Sequence, residues 1–216
     1  MRQTPHMAGN RVEAFSDGVF AVAITLLALE LKVPEDGGTL VHRMLAIWPS
    51  YLAYVVSFLT IGIMWLNHHT MFTHIVRVNR ALLLLNLLLL MVVAVVPFPT
   101  ALVGEELGAH LRGDDAKTIM ATYGLVMILM SIFFSAMWWY VVLHPQMLDE
   151  RLPSRSIRRS VPRFGFGLFG YVLATVVALV SPLTALVLFG LLALYYAFEH
   201  LPTERKLDPD PGAATG

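Results

Sequence analysis

Residues 11–30 read Arg11-Val12-Glu13-Ala14-Phe15-Ser16-Asp17-Gly18-Val19-Phe20-Ala21-Val22-Ala23-Ile24-Thr25-Leu26-Leu27-Ala28-Leu29-Glu30. From Ala14 to Val33 this is an apolar run long enough to cross a bilayer, with one carboxylate, Asp17, inside it. A carboxylate within a span costs a few kcal/mol unless paired or wetted, so Asp17 is a functional candidate by default. At about 100° per residue, Phe15, Gly18, Val22, Thr25, Leu26, Leu29 and Val33 form one stripe within about 60° of Val22. Ser16 and Asp17 fall off that stripe, about 120° to one side and about 140° to the other. Either the stripe faces an axis and Asp17 turns into neighbouring helices, or Asp17 faces the axis and the stripe meets lipid or protein.

The rest of the chain has the same character. Of 216 residues, 57% are hydrophobic and only 14% charged, against about a quarter charged in soluble domains. Five further spans follow: roughly Trp48–His68, Ala81–Val103 with Pro97 and Pro99 near its end, Thr118–Leu143, Phe164–Val180, and Pro182–Phe198 after a turn at Ser181-Pro182. None alternates apolar and polar as a barrel strand does, so these are helices. The fold class is all-α: a polytopic membrane protein with six transmembrane helices. Residues 1–206 make one six-helix domain, and residues 207–216, rich in Pro, Gly and Asp, make a disordered tail.

With the N-terminus in the cytoplasm, eleven of the fifteen Lys and Arg residues fall on the cytoplasmic side, and only Lys32, Arg43, Arg112 and Lys117 fall outside. That bias puts both termini inside. The acidic residues Glu35, Asp36, Glu105, Glu106, Asp114 and Asp115 gather outside and can raise the local cation concentration. Leu148–Arg163 is a basic cytoplasmic loop suited to anionic lipid. The first run carries Asp17 and exceeds a signal peptide's usual apolar length, so it reads as a span. With no cysteines, disulfides and Cys-zinc sites are excluded. Zero net charge implies no nucleic-acid partner.

The string Arg11-x-x-x-Phe15-Ser16-Asp17, continuing Gly-Val-Phe-Ala-Val-Ala-Ile-Thr-Leu-Leu, resembles the signature of the transmembrane protein 175 family of potassium channels. Trp65-Leu66-Asn67-His68-His69, Asn79-Arg80 and Pro97-Phe98-Pro99-Thr100 are similar to the family as well, so the resemblance runs along the whole chain. A single six-helix unit resembles the prokaryotic members, which implies a homotetramer in the plasma membrane with a pore lined by the first helix. Counting from the motif, the resemblance implies a hydrophobic constriction at Val22, Leu26 and Leu29, with Val22 smaller than the usual residue at its level. It implies a selectivity hydroxyl layer at Thr25, and permeant K⁺ passing near Val22, Thr25 and Leu26. It implies a structural and gating network drawn from Arg11, Phe15, Ser16, Asp17, Trp65, Asn67, His68, His69 and Asn86, with either His68 or His69 as a member. No cofactor beyond the permeant ion is implied; the partners are lipid and monovalent cations.

The chain lacks a Thr-Val-Gly-Tyr-Gly loop, so selectivity is expected from a tight apolar ring that makes ions shed water, partly compensated by Thr25 hydroxyls. Plainer readings exist for several residues. Apolar stripes on spans are more often packing than pore. Glu30 reads as an interfacial residue. Trp138, Trp139 and Tyr140 read as an interfacial aromatic belt. Asn86 reads as an interhelical hydrogen bonder, and Gly165, Gly167 and Gly170 as close-packing positions. Two rival functions compete: a proton- or cation-coupled transporter titrating at Asp17, and a membrane enzyme using His68, His69 and His74. The remaining histidines are scattered, and no soluble catalytic motif is present.

Overall fold

A computed structural model of the chain describes residues 5–32, 38–109, 114–149 and 167–197. The described residues are helical apart from short connections and one isolated antiparallel bridge between Ile75 and Leu148. The elements are α1 (Pro5–Leu29), α2 (Leu40–Ala46), α3 (Trp48–Thr73), α4 (Arg80–Val95), α5 (Pro97–Ala109), α6 (Asp114–Leu143), a single 3₁₀ turn at Pro145–Met147, α7 (Gly167–Ala178) and α8 (Pro182–Ala197).

Four stretches are long and apolar enough to cross a membrane: Gly9–Leu29, Trp48–Thr73, Arg80–Glu105 and Asp114–Leu143. The helices α7 and α8 are shorter and also apolar. The first helix begins nine residues before the expected Ala14 and ends at Leu29; Val33 lies outside the described residues, as do Gly165, the basic loop from residue 150 onward and the C-terminal tail. The third expected span is two helices. Pro97 and Pro99 have no N–H to continue the ladder, and α4 stops at Val95. Val96 keeps helical dihedrals (φ −51°, ψ −39°), so the chain continues after a local break. α2 was not expected: it is one short stretch in the α1–α3 connection, opened by Thr39, whose side chain accepts from the His42 N–H.

Local chemistry explains the other ends. Asn79 caps α4 by accepting from the Leu82 N–H at 3.0 Å. Pro49 sits in the first turn of α3 and Pro182 opens α8, where a missing N–H costs nothing. α3 is central and packs on α1, α5 and α8, while α4 packs on α1 and α6. Lipid is as apolar as the core, so association rests on close packing and interhelical hydrogen bonds. Gly170 meets Leu192 so closely that a Cβ there would come within 2.6 Å of it. A buried hydroxyl cluster ties three helices: Ser57 bonds to Thr100 at 2.8 Å and to Tyr123 at 3.0 Å. The segments after α3 and after α6 are laced together, Val76 N–H to Met147 O at 2.8 Å and Asp149 N–H to His74 O at 3.0 Å. Both therefore lie at one end of the bundle, as an even number of crossings between them requires.

Candidate functional site

The two faces of α1 have opposite fates. Ser16, Phe20, Ala23 and Leu27 are buried against α3 and α4. Phe15 is 57% exposed, Val22 57%, Leu26 39% and Leu29 69%, with Gly18 and Thr25 exposed between them. The exposed arc is the stripe picked out by helical spacing. A groove of about 490 Å³ runs beside it, lined by Ala14, Phe15, Gly18, Val22 and Leu26 together with Ala94 of α4. The Thr25 hydroxyl donates to the Val22 carbonyl at 2.9 Å. Its hydrogen is thus used within the helix, and its oxygen lone pairs remain on the exposed face.

Polar side chains grip α1 from two directions. Toward α4, Asn86 Nδ2 donates to Ser16 Oγ at 3.0 Å, and Ser16 Oγ donates to the Val12 carbonyl at 2.9 Å. The Asn86 Oδ1 bonds to His68 Nε2 at 2.9 Å. An amide oxygen only accepts, so in this arrangement His68 donates from Nε2. His68 is fully buried, with ring centroids 5.3 Å from Phe20 and 4.5 Å from Phe72. Its Nδ1 has no partner among the described residues. Toward α3, Trp65 Nε1 donates to Asp17 Oδ1 at 2.8 Å. One turn away, His69 Nδ1 lies 2.6 Å from Glu13 Oε1, and the rings of Trp65 and His69 stack at 6.0 Å.

Ser16, Asp17, Trp65, His68, His69 and Asn86 thus come together at one end of the α1–α3–α4 interface. Both histidines take part, His68 through Asn86 and His69 through Glu13. Arg11 and Phe15 are exposed, and Arg11 has no hydrogen bond or ion pair among the described residues. Asn67 turns away, donating to the Ile63 carbonyl at 3.0 Å and the Tyr196 carbonyl at 3.4 Å on α8. Sequence reasoning passed over Glu13. Its signal was spacing: Glu13 and Asp17 are one turn apart on α1, as Trp65 and His69 are on α3, and two antiparallel helices pair them as successive rungs. No group of three or more His, Cys, Asp or Glu among the described residues could hold a metal ion.

A family model described as "Endosomal/lysosomal potassium channel TMEM175" matches residues 11–97, which contain α1 from Arg11, the network and the start of α5. A potassium channel of Streptomyces collinus is 52% identical over 199 residues, 91% of this chain and 95% of that one. This chain belongs to the TMEM175 family. Within the family it is also similar, at 37% identity over 150 residues, to the human endosomal/lysosomal proton channel TMEM175, of whose length the match covers 29%. A crystal structure of a lysosomal potassium-selective TMEM175 homolog from Chamaesiphon minutus superposes with a TM-score of 0.78 at 35% identity, covering 90% of this chain and 98% of that one. The all-helical architecture is therefore that of a TMEM175 channel, with several apolar helices of membrane-crossing length.

Proposed function

We propose that this TMEM175-family protein is a potassium-preferring cation channel of the plasma membrane, formed by four copies of a six-span subunit around the exposed stripe of α1. The observation that carries the reading is the contrast between the two faces of one helix. The face bearing Ser16 and Leu27 is sealed against the chain's own α3 and α4, and the face bearing Val22, Leu26 and Leu29 is left open along its length. Four such faces meeting on an axis make successive rings of Val22, Leu26 and Leu29, with Thr25 oxygens between the first two.

An apolar ring of this kind dewets, and an ion that passes must shed part of its hydration shell. K⁺ holds water less tightly than Na⁺, so its cost is lower. The Thr25 oxygens face the ion with their lone pairs because the hydrogen is engaged at Val22. Arg77 and Arg80 fall at the same end of the bundle as the network, which agrees with an N-terminus on the cytoplasmic side. The carrier alternative needs Asp17 on the transport path. Asp17 instead accepts from Trp65 in the α1–α3 interface, away from the stripe.

The test is the reversal potential of purified protein in planar bilayers under opposed K⁺ and Na⁺. Reversal near the K⁺ equilibrium potential is expected. A current that ignores the cation gradients, or one that appears only with a proton gradient, overturns the proposal in favour of a non-selective leak or a coupled carrier.

A further inference from the structure

A second polar site lies inside the subunit, away from α1. A cavity with room of about 30 Å³, not fully enclosed, sits between α3, α6, α7 and α8. Its wall includes Thr60, Asn67, Ser131, Ser135, Tyr171 and Tyr196, with Ile63, Met64, Phe134 and Ala193 supplying the apolar part. The hydroxyls of Ser131, Ser135 and Tyr171 have no hydrogen-bond partner among the described residues, although Tyr171 is only 4% and Ser131 only 7% exposed. Serines on a spanning helix commonly satisfy themselves on the carbonyl one turn back. Thr60, Thr70 and Thr122 do so here, and these two serines do not.

Three hydroxyls with no hydrogen bond to another described residue converge on one cavity, and a ligand that both donates and accepts would satisfy them there. Asn67 spends its N–H groups on the Ile63 and Tyr196 carbonyls, leaving its Oδ1 as an acceptor. Among the described residues the wall contains no Asp, Glu, Lys, Arg or His. A carboxylate, phosphate or ammonium would be buried there without a countercharge. The room exceeds the roughly 10–15 Å³ that one water occupies by the same kind of measure. It therefore admits a hydroxymethyl group, and the apolar wall and open side suit an alkyl tail.

We infer that this cavity is a binding site for an uncharged amphiphile with a hydroxyl head, of the primary-alcohol class. The site is separate from the ion path and does not depend on how α1 assembles. Its experiment reads labelling and not flux. Full-length protein in liposomes is irradiated with a photoactivatable diazirine analogue of 1-octanol, and adducts are mapped by mass spectrometry. Adducts are expected to concentrate on Met64, Tyr171 and Tyr196, to be displaced by unlabelled 1-octanol, and to fall to background in Ser131→Leu. Tyr171→Phe removes one oxygen and keeps the ring, so it serves if the leucine variant does not fold. Its competition curve should shift by about fivefold, the scale of one neutral hydrogen bond. Adducts spread over outward-facing positions such as Val55 and Phe98, or cavity adducts indifferent to competitor and to both variants, overturn the inference. So does a density map showing only water in the cavity at saturating 1-octanol.

Discussion

Trp65 Nε1 donates to Asp17 Oδ1 at 2.8 Å across the α1–α3 interface, and the carboxylate lies on the opposite side of α1 from Val22 and Leu29. The bond fixes which face of α1 is free. It also gives the half-buried carboxylate the partner that its place in an apolar helix demands.

Asp17→Ala leaves the Trp65 N–H without its acceptor. A hydrogen bond to a charged group is worth about 1.5–3 kcal/mol, so thermal stability in detergent should drop measurably. Open probability or assembly should suffer while the K⁺/Na⁺ permeability ratio holds. A variant that assembles normally and loses ion preference would place Asp17 in the ion path after all.

Asn86 serves two partners at once, Ser16 on α1 and His68 on α3. Asn86→Leu strands both in a buried site, and each unsatisfied group costs about 1–3 kcal/mol. The expected result is a larger loss of melting temperature than Ser16→Ala gives, since Ser16→Ala breaks only one of the two links. Equal losses would show that the His68 link carries no weight.

Glu13 and His69 are partly exposed, so their pair should be modest. A double-mutant cycle with Glu13→Gln and His69→Gln should return a coupling of about 0.2–1 kcal/mol that shrinks in high salt. Coupling that is absent at low salt would remove this rung from the network.

Thr25 bears on selectivity. Thr25→Val keeps the shape and deletes the oxygen, and should lower the K⁺/Na⁺ permeability ratio measured from bi-ionic reversal potentials. Thr25→Ser, which keeps an oxygen able to donate to Val22, should preserve most of the ratio. An unchanged ratio in Thr25→Val would leave the apolar rings as the whole source of preference.

The membrane helices were legible because lipid demands long apolar blocks, and the stripe on α1 was legible because about 100° spacing groups Val22 with Leu26 and Leu29; that this stripe is the open face, with Asp17 turned to α3, came from the resemblance and not from spacing. Other features depended on neighbours and were not. The direction of Asn67 follows from the rotation of α3 against α8, and polar residues occur around more than one side of α3. The pairing of Glu13 with His69 needs the antiparallel register of two helices, although the four-residue spacing on each hinted at it. The helix break between Val95 and Pro97 was signalled by proline, but its extent depends on the dihedrals of Val96. The short α2 has too few residues to show a period.

The most direct test of the central claim is thiol accessibility along α1. The chain has no cysteine, so each introduced thiol is the only one. Val22→Cys, Leu26→Cys and Leu29→Cys channels, with Leu125→Cys on the exposed face of α6 as control, are challenged with Ag⁺ during K⁺ current recording. Irreversible block is expected in the three α1 variants and none in Leu125→Cys or the parent protein. Block in Leu125→Cys with full current through the α1 variants would contradict it and move the ion path to another face of the bundle.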